Sequence, residues 1–180
     1  MKNFPFNERI TLKNDLESDN VIEFGWSKSP FGQSLIFIKS DIVVGLAFQN
    51  NQNKDNIEMQ MMYHWDTKST QFIRLNTDNI AAHIFFSNCK INLSFTGHGL
   101  QNSVWKELLN IPKGNKITYS DLAKNCGYPK AVRAVASAIG KNPISWLIPC
   151  HRVIRKSGAL GGYRWGLDLK KHMLEKEALI

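Results

Sequence analysis

The pattern of hydrophobic residues changes at residues 96–99, and this change limits the folds open to the chain more than any other feature. Before it, runs rich in Ile, Val and Phe are separated by turn residues, which is typical of β-strands. These runs predict strands at residues 21–26, 35–39, 42–48 and 91–95. After it, apolar residues recur at helical spacing. The sequence therefore predicts an α+β fold, with an antiparallel sheet domain at 1–96 and a mostly helical domain at 97–180.

The segments between the predicted strands carry weaker signals. Turn residues at 29–32 and 39–41 predict hairpin connections. Residues 49–57 are polar and show no apolar period, so they are predicted to form a loop. Residues 66–75 are predicted to form a helix.

The sequence of the second half of the chain predicts a succession of helices. Val104, Leu108 and Leu109 share one helical face. Thr118 is placed to cap a short helix through Asp121, three residues on. A second helix is predicted over 130–139 and ends at Gly140. Two short helices around a Gly-containing turn match the helix-turn-helix pattern, although many helical bundles that never touch DNA share this spacing.

The positive charge is confined to the second half. Residues 1–100 carry 9 basic and 10 acidic residues, whereas residues 101–180 carry 14 basic and 5 acidic residues. This asymmetry favours a C-terminal module that binds a polyanion such as nucleic acid. A basic, solvated surface without such a partner explains the charge equally well.

Cysteine content and hydropathy indicate the compartment and the absence of a metal. Three cysteines are too few and too scattered for a disulfide framework or a zinc quartet. No apolar run is long enough to cross a membrane, and the N-terminus lacks a signal-peptide pattern. We therefore expect a cytoplasmic protein without membrane association.

The residues that most clearly suggest a chemical reaction are Cys150 and His151. A cysteine thiolate is a strong nucleophile, and a neighbouring histidine or cation lowers its pKa. Ile148 precedes a proline, which favours an extended chain. In an extended chain Cys150 and His151 point to opposite sides, so a bridging water would have to couple them. An isolated Cys-His pair is nevertheless most often a buried cysteine beside a surface histidine.

The surrounding sequence changes that assessment. Residues 148–153, IPCHRV, resemble the active-site hexapeptide of the O6-alkylguanine-DNA alkyltransferases, also called methylated-DNA–protein-cysteine methyltransferases. The resemblance runs from about residue 94 to residue 177. It is closest to the bacterial members, including the C-terminal domain of Ada-type proteins. It includes the segments Val104-Trp105, 117–119, 129–135, 142–143 and 161–167.

This resemblance implies a fold and a reaction. The fold would be an N-terminal ribonuclease-H-like domain followed by a C-terminal winged helix-turn-helix domain. The reaction would be direct-reversal DNA repair: Cys150 takes the alkyl group from O6-alkylguanine, and from O4-alkylthymine as a further candidate substrate, irreversibly and in a single turnover after base flipping. The partner would be double-stranded DNA containing alkylated bases, and the protein would act as a monomer.

The resemblance also assigns roles to individual residues. His151 would act through a water as base toward Cys150, Glu177 would orient His151, and Asn142 would occupy the hinge before the active-site segment. Arg133 would fill the gap left by the flipped base, and small residues would let the recognition helix approach the minor groove. The implied DNA-binding residues are Arg133, Tyr119, Lys130, Ala131 and Ala134. The implied alkylguanine pocket consists of Tyr119, Val153, Tyr163, Arg164 and Trp165.

Some features of the sequence differ from other members of this family. Trp165 is bulky where some members have glycine, which predicts a narrower pocket. Some members bind structural zinc through Cys and His, but residues 1–88 contain no cysteine. We therefore expect no metal and no cofactor.

Three alternative functions remain open. The first is a lesion-recognition protein that does not react, although proteins of that kind replace the cysteine. The second is a Cys-His-Glu hydrolase, which would need an oxyanion hole and no basic recognition helix. The third is a helix-turn-helix regulator, which would need base-reading side chains that the Ala-rich helix lacks.

Overall fold

The structure is a computed structural model that describes residues 9–13 and 20–178. These residues form two compact units, the first ending at Phe95 and the second beginning at Thr96. Together they form a mixed fold of sheet and helices. Within the described ranges, no helix is long and apolar enough to cross a membrane.

The first unit is built on a six-stranded sheet with the order β1-β6-β4-β3-β2-β5. Its strands are β1 (Ile10–Leu12), β2 (Val21–Ser29), β3 (Gly32–Lys39), β4 (Ile42–Phe48), β5 (Gln71–Arg74) and β6 (Ile91–Leu93). β2, β3 and β4 pair antiparallel, whereas β5 pairs parallel with β2, and β6 pairs parallel with both β1 and β4. The sheet is therefore mixed, and the predicted antiparallel arrangement holds only for β2, β3 and β4. The parallel strands follow long crossover connections, which hydrophobic runs do not reveal.

The two predicted hairpins are confirmed. In the β3–β4 turn Ser40 and Asp41 both have positive φ, 46° and 62°. Positive φ at both central residues is what a type I′ turn requires, and this turn matches the twist of the flanking strands. All seven residues of β4 are buried, so this strand lies at the centre of the first unit's core.

The two helices of the first unit are not where the sequence predicted them. α1 (Lys54–Met62) begins inside the predicted loop, and the Asn53 side chain caps it by accepting a hydrogen bond from the Asp55 amide. α2 (Asp78–Phe86) was not predicted. The helix predicted at 66–75 is wrong, because 71–74 form the edge strand β5. Its residues find a β-strand partner in β2 only in the folded sheet.

The second unit is mostly helical. Its elements are α3 (Leu100–Leu109), β7 (Ile117–Thr118), α4 (Tyr119–Asn125), α5 (Val132–Gly140), β8 (Val153–Ile154) and α6 (Leu167–Ala178). The predicted cap of α4 is confirmed, because the Thr118 side chain accepts from the Asp121 amide. The helix predicted over 130–139 is α5, which begins at Val132, so Lys130 and Ala131 precede it.

Two contacts position the segment that carries Cys150 within this unit. The Trp105 indole donates to the Ala138 carbonyl at 2.9 Å, which anchors α3 on α5. β7 and β8 form a parallel pair in which Ile117 lies opposite Val153. The start of α4 is therefore held beside the chain that follows Cys150.

Candidate active site

Cys150 is buried at the first position of a single 3-10 turn, residues Cys150–Arg152. Ile148, for which the sequence predicts an extended conformation, lies in a β-bridge with Ser145, but the chain does not stay extended through Cys150 and His151. The Cys150 amide donates to the Ile148 carbonyl at 2.7 Å, and the Arg152 amide donates to the Pro149 carbonyl at 3.0 Å. These local hydrogen bonds turn the chain immediately after the proline.

Asn142 holds the thiol from the segment that follows α5. Its amide nitrogen donates to the Cys150 Sγ at 3.1 Å and to the Ile148 carbonyl at 2.9 Å. Its amide oxygen accepts from the Ile144 amide at 3.0 Å. One buried side chain thus ties the α5 end to both sides of the turn, and it directs a hydrogen-bond donor at the sulfur.

The thiol is protonated in the resting structure. Burial raises the pKa of Cys150, and the hydrogen bonds from Asn142 and Tyr163 and the charge of Lys170 only partly oppose this. The lowered pKa expected from the sequence is therefore not found, because desolvation outweighs the neighbouring donors and cation. A thiolate must be generated during the reaction.

A buried network of charged residues lies next to the thiol. The His151 Nε2 is 3.1 Å from the Glu177 Oε1 on α6. Arg152 contacts the same carboxylate through its Nε, at 3.1 and 3.0 Å to the two oxygens, and through its Nη2, at 2.6 Å. It also donates to the Ile111 carbonyl. All three side chains are buried, so each hydrogen bond acts in a medium of low dielectric constant.

The network favours a neutral histidine and an ionised glutamate. Burial lowers the pKa of His151, opposed by its hydrogen bond to Glu177. Burial would raise the pKa of Glu177, but hydrogen bonds from His151 and Arg152 outweigh it and lower this pKa to about 2. The site can therefore accept a proton on His151 beside a carboxylate that is already charged.

The His151 ring has one free nitrogen and one stacked face. Within the described part of the chain its Nδ1 has no hydrogen-bond partner. The Trp146 indole stacks on it with ring centroids 5.2 Å apart and planes 15° from parallel. Trp146 has a positive φ of 71°, which bulky residues rarely adopt.

A cavity of about 570 Å³ opens onto Cys150. This size lies within the range of small-molecule sites. Several of the predicted site residues line its wall: Tyr119, Arg133, Asn142, Tyr163, Arg164 and Trp165. The cavity therefore brings the thiol together with four of the five predicted pocket residues, all except Val153.

Two of the aromatic residues in the wall are tightly held. The Trp165 indole donates to the Ser145 hydroxyl at 2.6 Å, and the Arg164 guanidinium lies 4.8 Å from the Trp165 ring centroid. Tyr119 packs against Gly161, where a Cβ atom would lie 2.8 Å from the tyrosine hydroxyl. Burial raises the pKa of Tyr119, so its hydroxyl is protonated and can donate.

The remaining predicted residues lie outside the cavity wall. Val153 is fully buried and its carbonyl accepts a hydrogen bond from Lys170 at 2.6 Å. Lys130 and Ala134 are exposed, and Ala131 is partly exposed. The roles assigned to these four residues, like those assigned to the residues in the cavity wall, stay predictions.

Lys170, which is buried on α6, was not predicted from the sequence. Its ammonium donates to the carbonyls of Val153 at 2.6 Å, Leu160 at 2.5 Å and Gly162 at 3.4 Å. Burial lowers its pKa to about 8. Lys170 shares one helical face with the buried residues Met173, Leu174 and Glu177, and this spacing was the signal that could have identified it.

No group of three or more potential ligands for a metal ion occurs among residues 9–13 and 20–178.

Comparison with known proteins relates this site to one family. Residues 99–179 match the family described as 6-O-methylguanine DNA methyltransferase, DNA binding domain. The methylated-DNA–protein-cysteine methyltransferase of Methanosarcina acetivorans is 48% identical over 152 residues, which cover 83% of this chain and 94% of that protein. Regulatory protein ada of Salmonella typhimurium is 50% identical over 86 residues, which cover 48% of this chain and 24% of that protein.

The chain thus spans about a quarter of the length of the Ada-type relatives that it matches. Among solved structures, the OGT protein of Mycobacterium tuberculosis in complex with DNA has a TM-score of 0.69 and 27% identity. That match covers 87% of this chain and 93% of the M. tuberculosis protein.

Proposed function

The chain belongs to the family of methylated-DNA–protein-cysteine methyltransferases, and we propose that it repairs DNA by moving an alkyl group from the O6 atom of guanine to its own Cys150. The observation that carries the proposal is the Cys150 thiol facing a cavity beside the His151–Glu177 pair. A protonated thiol beside a neutral imidazole and an ionised carboxylate is suited to forming a thiolate on demand.

The reaction is a displacement at carbon. The Cys150 proton passes through a water to the free Nδ1 of His151, and Glu177 stabilises the imidazolium. The thiolate attacks the alkyl carbon, the carbon–O6 bond breaks, and its electron pair stays on the guanine, which takes up a proton. The new thioether has no good leaving group, so each molecule repairs one lesion.

Asn142 positions the nucleophile in this scheme. Its donor contact with Sγ favours the thiolate, and its bond to the Ile148 carbonyl keeps the sulfur turned toward the cavity. A donor already in place stabilises developing charge without reorganisation.

The cavity would receive the base after it has been flipped out of the duplex. Arg133 is exposed on the first turn of α5 and lines the cavity, which supports the role of filling the gap in the stack. Lys130, Ala131 and Ala134 would lie along the DNA backbone. Small side chains permit close approach and read few base edges, which suits binding of low sequence specificity.

The pocket itself would be formed by aromatic residues and the loop before α6. Tyr119 would donate to the base, which its position in the cavity wall supports, and Tyr163 contacts the thiol. Trp165, stacked under Arg164, narrows the cavity and disfavours large alkyl adducts. The Val153 carbonyl would accept from the guanine amino group through the lone pair that Lys170 leaves free.

The proposal extends to fold family, assembly and location. The mixed sheet with crossover helices supports a ribonuclease-H-like first unit, and α4, α5 and the β7–β8 pair support a winged helix-turn-helix second unit. Each site residue lies in the second unit, which supports action as a monomer on double-stranded DNA. The chemistry needs a free thiol, which supports a reducing, cytoplasmic location.

The test is a stoichiometric transfer assay. The protein is mixed with a duplex that carries one radiolabelled O6-methylguanine, and the label is located by mass analysis of cysteine peptides. We expect label on Cys150, saturating near one per molecule. Cys150→Ala should accept none, whereas the matched control Cys126→Ala should react like the wild type, because Cys126 caps α4 away from the cavity.

Other outcomes would redirect the assignment. Tight binding of the lesion without transfer would indicate a recognition protein. If the protein neither binds the lesion nor accepts its alkyl group, DNA repair is rejected and the hydrolase alternative is tested next.

A further inference from the structure

The His151 imidazole, which would receive the thiol proton, packs against a tryptophan. The two rings are nearly parallel, with centroids 5.2 Å apart. We propose that Trp146 is a positioning residue for proton transfer at Cys150: its indole holds the His151 ring in plane and stabilises the imidazolium that forms when the thiol ionises. The inference rests on the proposed function only in taking Cys150 as the nucleophile.

The Trp146 indole fixes the orientation of the His151 ring. Glu177 holds the His151 ring at Nε2, at 3.1 Å. Nδ1 has no hydrogen-bond partner among the described residues. Rotation of the ring about its Cβ–Cγ bond breaks the hydrogen bond to Glu177, and it also moves Nδ1, the nitrogen that accepts the thiol proton in the proposed mechanism. The parallel indole prevents this rotation, because the ring cannot turn without losing its stacking contact or colliding with it.

The Trp146 indole also stabilises positive charge on the His151 ring. Three charged groups face His151: Glu177 and Lys170 on α6, and Arg152, the next residue in the chain. Glu177 favours a positive charge on the imidazole, whereas Lys170 and Arg152 disfavour it. His151 is fully buried, so solvent cannot stabilise the imidazolium. The face of an indole is electron-rich and attracts a cation within about 6 Å of its centroid. Trp146 therefore adds attraction on a ring face that Glu177, bound in the ring plane, does not cover.

The backbone supports a specific role for this side chain. Trp146 has a φ of 71°, in the left-handed region that favours glycine. Tight local hydrogen bonds hold it there, from the Leu147 amide to the Ser145 carbonyl and from the Ile148 amide to the Ile144 carbonyl, both at 2.9 Å. An unfavourable conformation that persists beside reacting groups indicates a functional constraint.

The experiment measures ionisation of Cys150 without DNA. Iodoacetamide alkylates thiolates: the sulfur forms a bond to carbon and iodide leaves. Its rate at Cys150, read from the mass of that peptide, is compared in the full-length wild type, Trp146→Phe and Trp146→Met. Phenylalanine and methionine are similar in size, so both variants leave a similar void and differ in the aromatic face.

We expect Trp146→Met to react about tenfold more slowly than wild type near pH 7, and Trp146→Phe within about threefold of it. The deficit should shrink as the pH rises into the alkaline range, because the thiol can then lose its proton to solvent and no longer needs His151. In a His151→Asn background the methionine substitution should have no further effect, because the residue through which Trp146 acts is gone.

Equal slowing by phenylalanine and methionine would overturn the proposal and assign Trp146 to packing. So would a deficit that does not shrink in alkaline buffer, an unchanged rate in both variants, or full additivity with His151→Asn. Methyl transfer from DNA is measured separately on the wild type. Failure of that transfer with the phenylalanine–methionine difference intact would reject repair and retain the role of Trp146.

Discussion

Replacing Glu177 with glutamine is expected to destabilise the protein strongly at neutral pH and much less in acid. The carboxylate is buried and accepts hydrogen bonds from His151 and Arg152. These contacts outweigh the effect of burial and lower its pKa from an ordinary value of 4.5 to about 2. At 1.36 kcal/mol per pKa unit, the ionised form contributes ~3 kcal/mol to the free energy of unfolding.

The sign of the pH dependence follows from the direction of the shift. A carboxyl with a depressed folded-state pKa contributes its full stabilisation above the unfolded-state pKa, here 4.5, and loses it as the pH falls through about 2. Glutamine resembles the protonated carboxyl. The difference in stability between wild type and Glu177→Gln should therefore be ~3 kcal/mol at pH 7 and about half of that at pH 3.

The assay is urea unfolding of the full chain at several pH values, followed by circular dichroism. The matched control is Glu175→Gln, on the same helix, whose exposed carboxylate lies 3.8 Å from the Lys171 ammonium. This control should change stability by less than about 0.5 kcal/mol. An equal loss for Glu177→Gln at pH 7 and pH 3 would refute the reasoning, because it would show that the ionised carboxylate is not what stabilises the network.

Three further substitutions test other parts of the site. Gly161→Ala should lower stability by about 1–3 kcal/mol and slow alkyl transfer, because its Cβ would lie 2.8 Å from the Tyr119 hydroxyl at a φ of +72°; unchanged unfolding and transfer would contradict this. Lys170→Met removes the donor that binds the main-chain carbonyls of Val153 and Leu160, so alkyl transfer should be at least tenfold slower in single-turnover kinetics. The control Lys171→Met, at an exposed position on the same helix, should leave the rate of transfer unchanged. Arg133→Ala should weaken transfer from duplex DNA far more than reaction with a free-base substrate; equal losses on both would remove the flipping role.

The errors in the first unit share one physical cause. Residues 71–74 carry no strong strand pattern, and they become the edge strand β5 only because β2 offers them a partner. Conversely, the polar segment at 54–62 buries just Ile57, Glu58 and Met61, which is too few apolar residues to mark a helical face. In both segments tertiary contacts override weak local preferences.

Prediction was more successful in the second unit, where the signals are local. Val104 and Leu108 are buried on α3, and Thr118 caps α4, because a helical face and a cap depend on residues three or four positions apart. The exception is the turn at Cys150. Hydrogen bonds from Asn142 and along residues 148–152 bend the chain after Pro149, whose preference for an extended conformation acts only on the residue before it.

The sequence by itself determined the change from strand to helix patterns, the charge asymmetry and the IPCHRV motif, from which family and nucleophile followed. Tertiary structure alone decided how the nucleophile is controlled. Burial keeps the Cys150 thiol protonated, although the sequence suggested a lowered pKa. The tertiary structure also brings the Arg152 side chain to the carbonyl of a residue 41 positions away, and it buries Lys170 away from water. A pKa depends on desolvation and on charges from distant parts of the chain, and neither can be read from neighbouring residues.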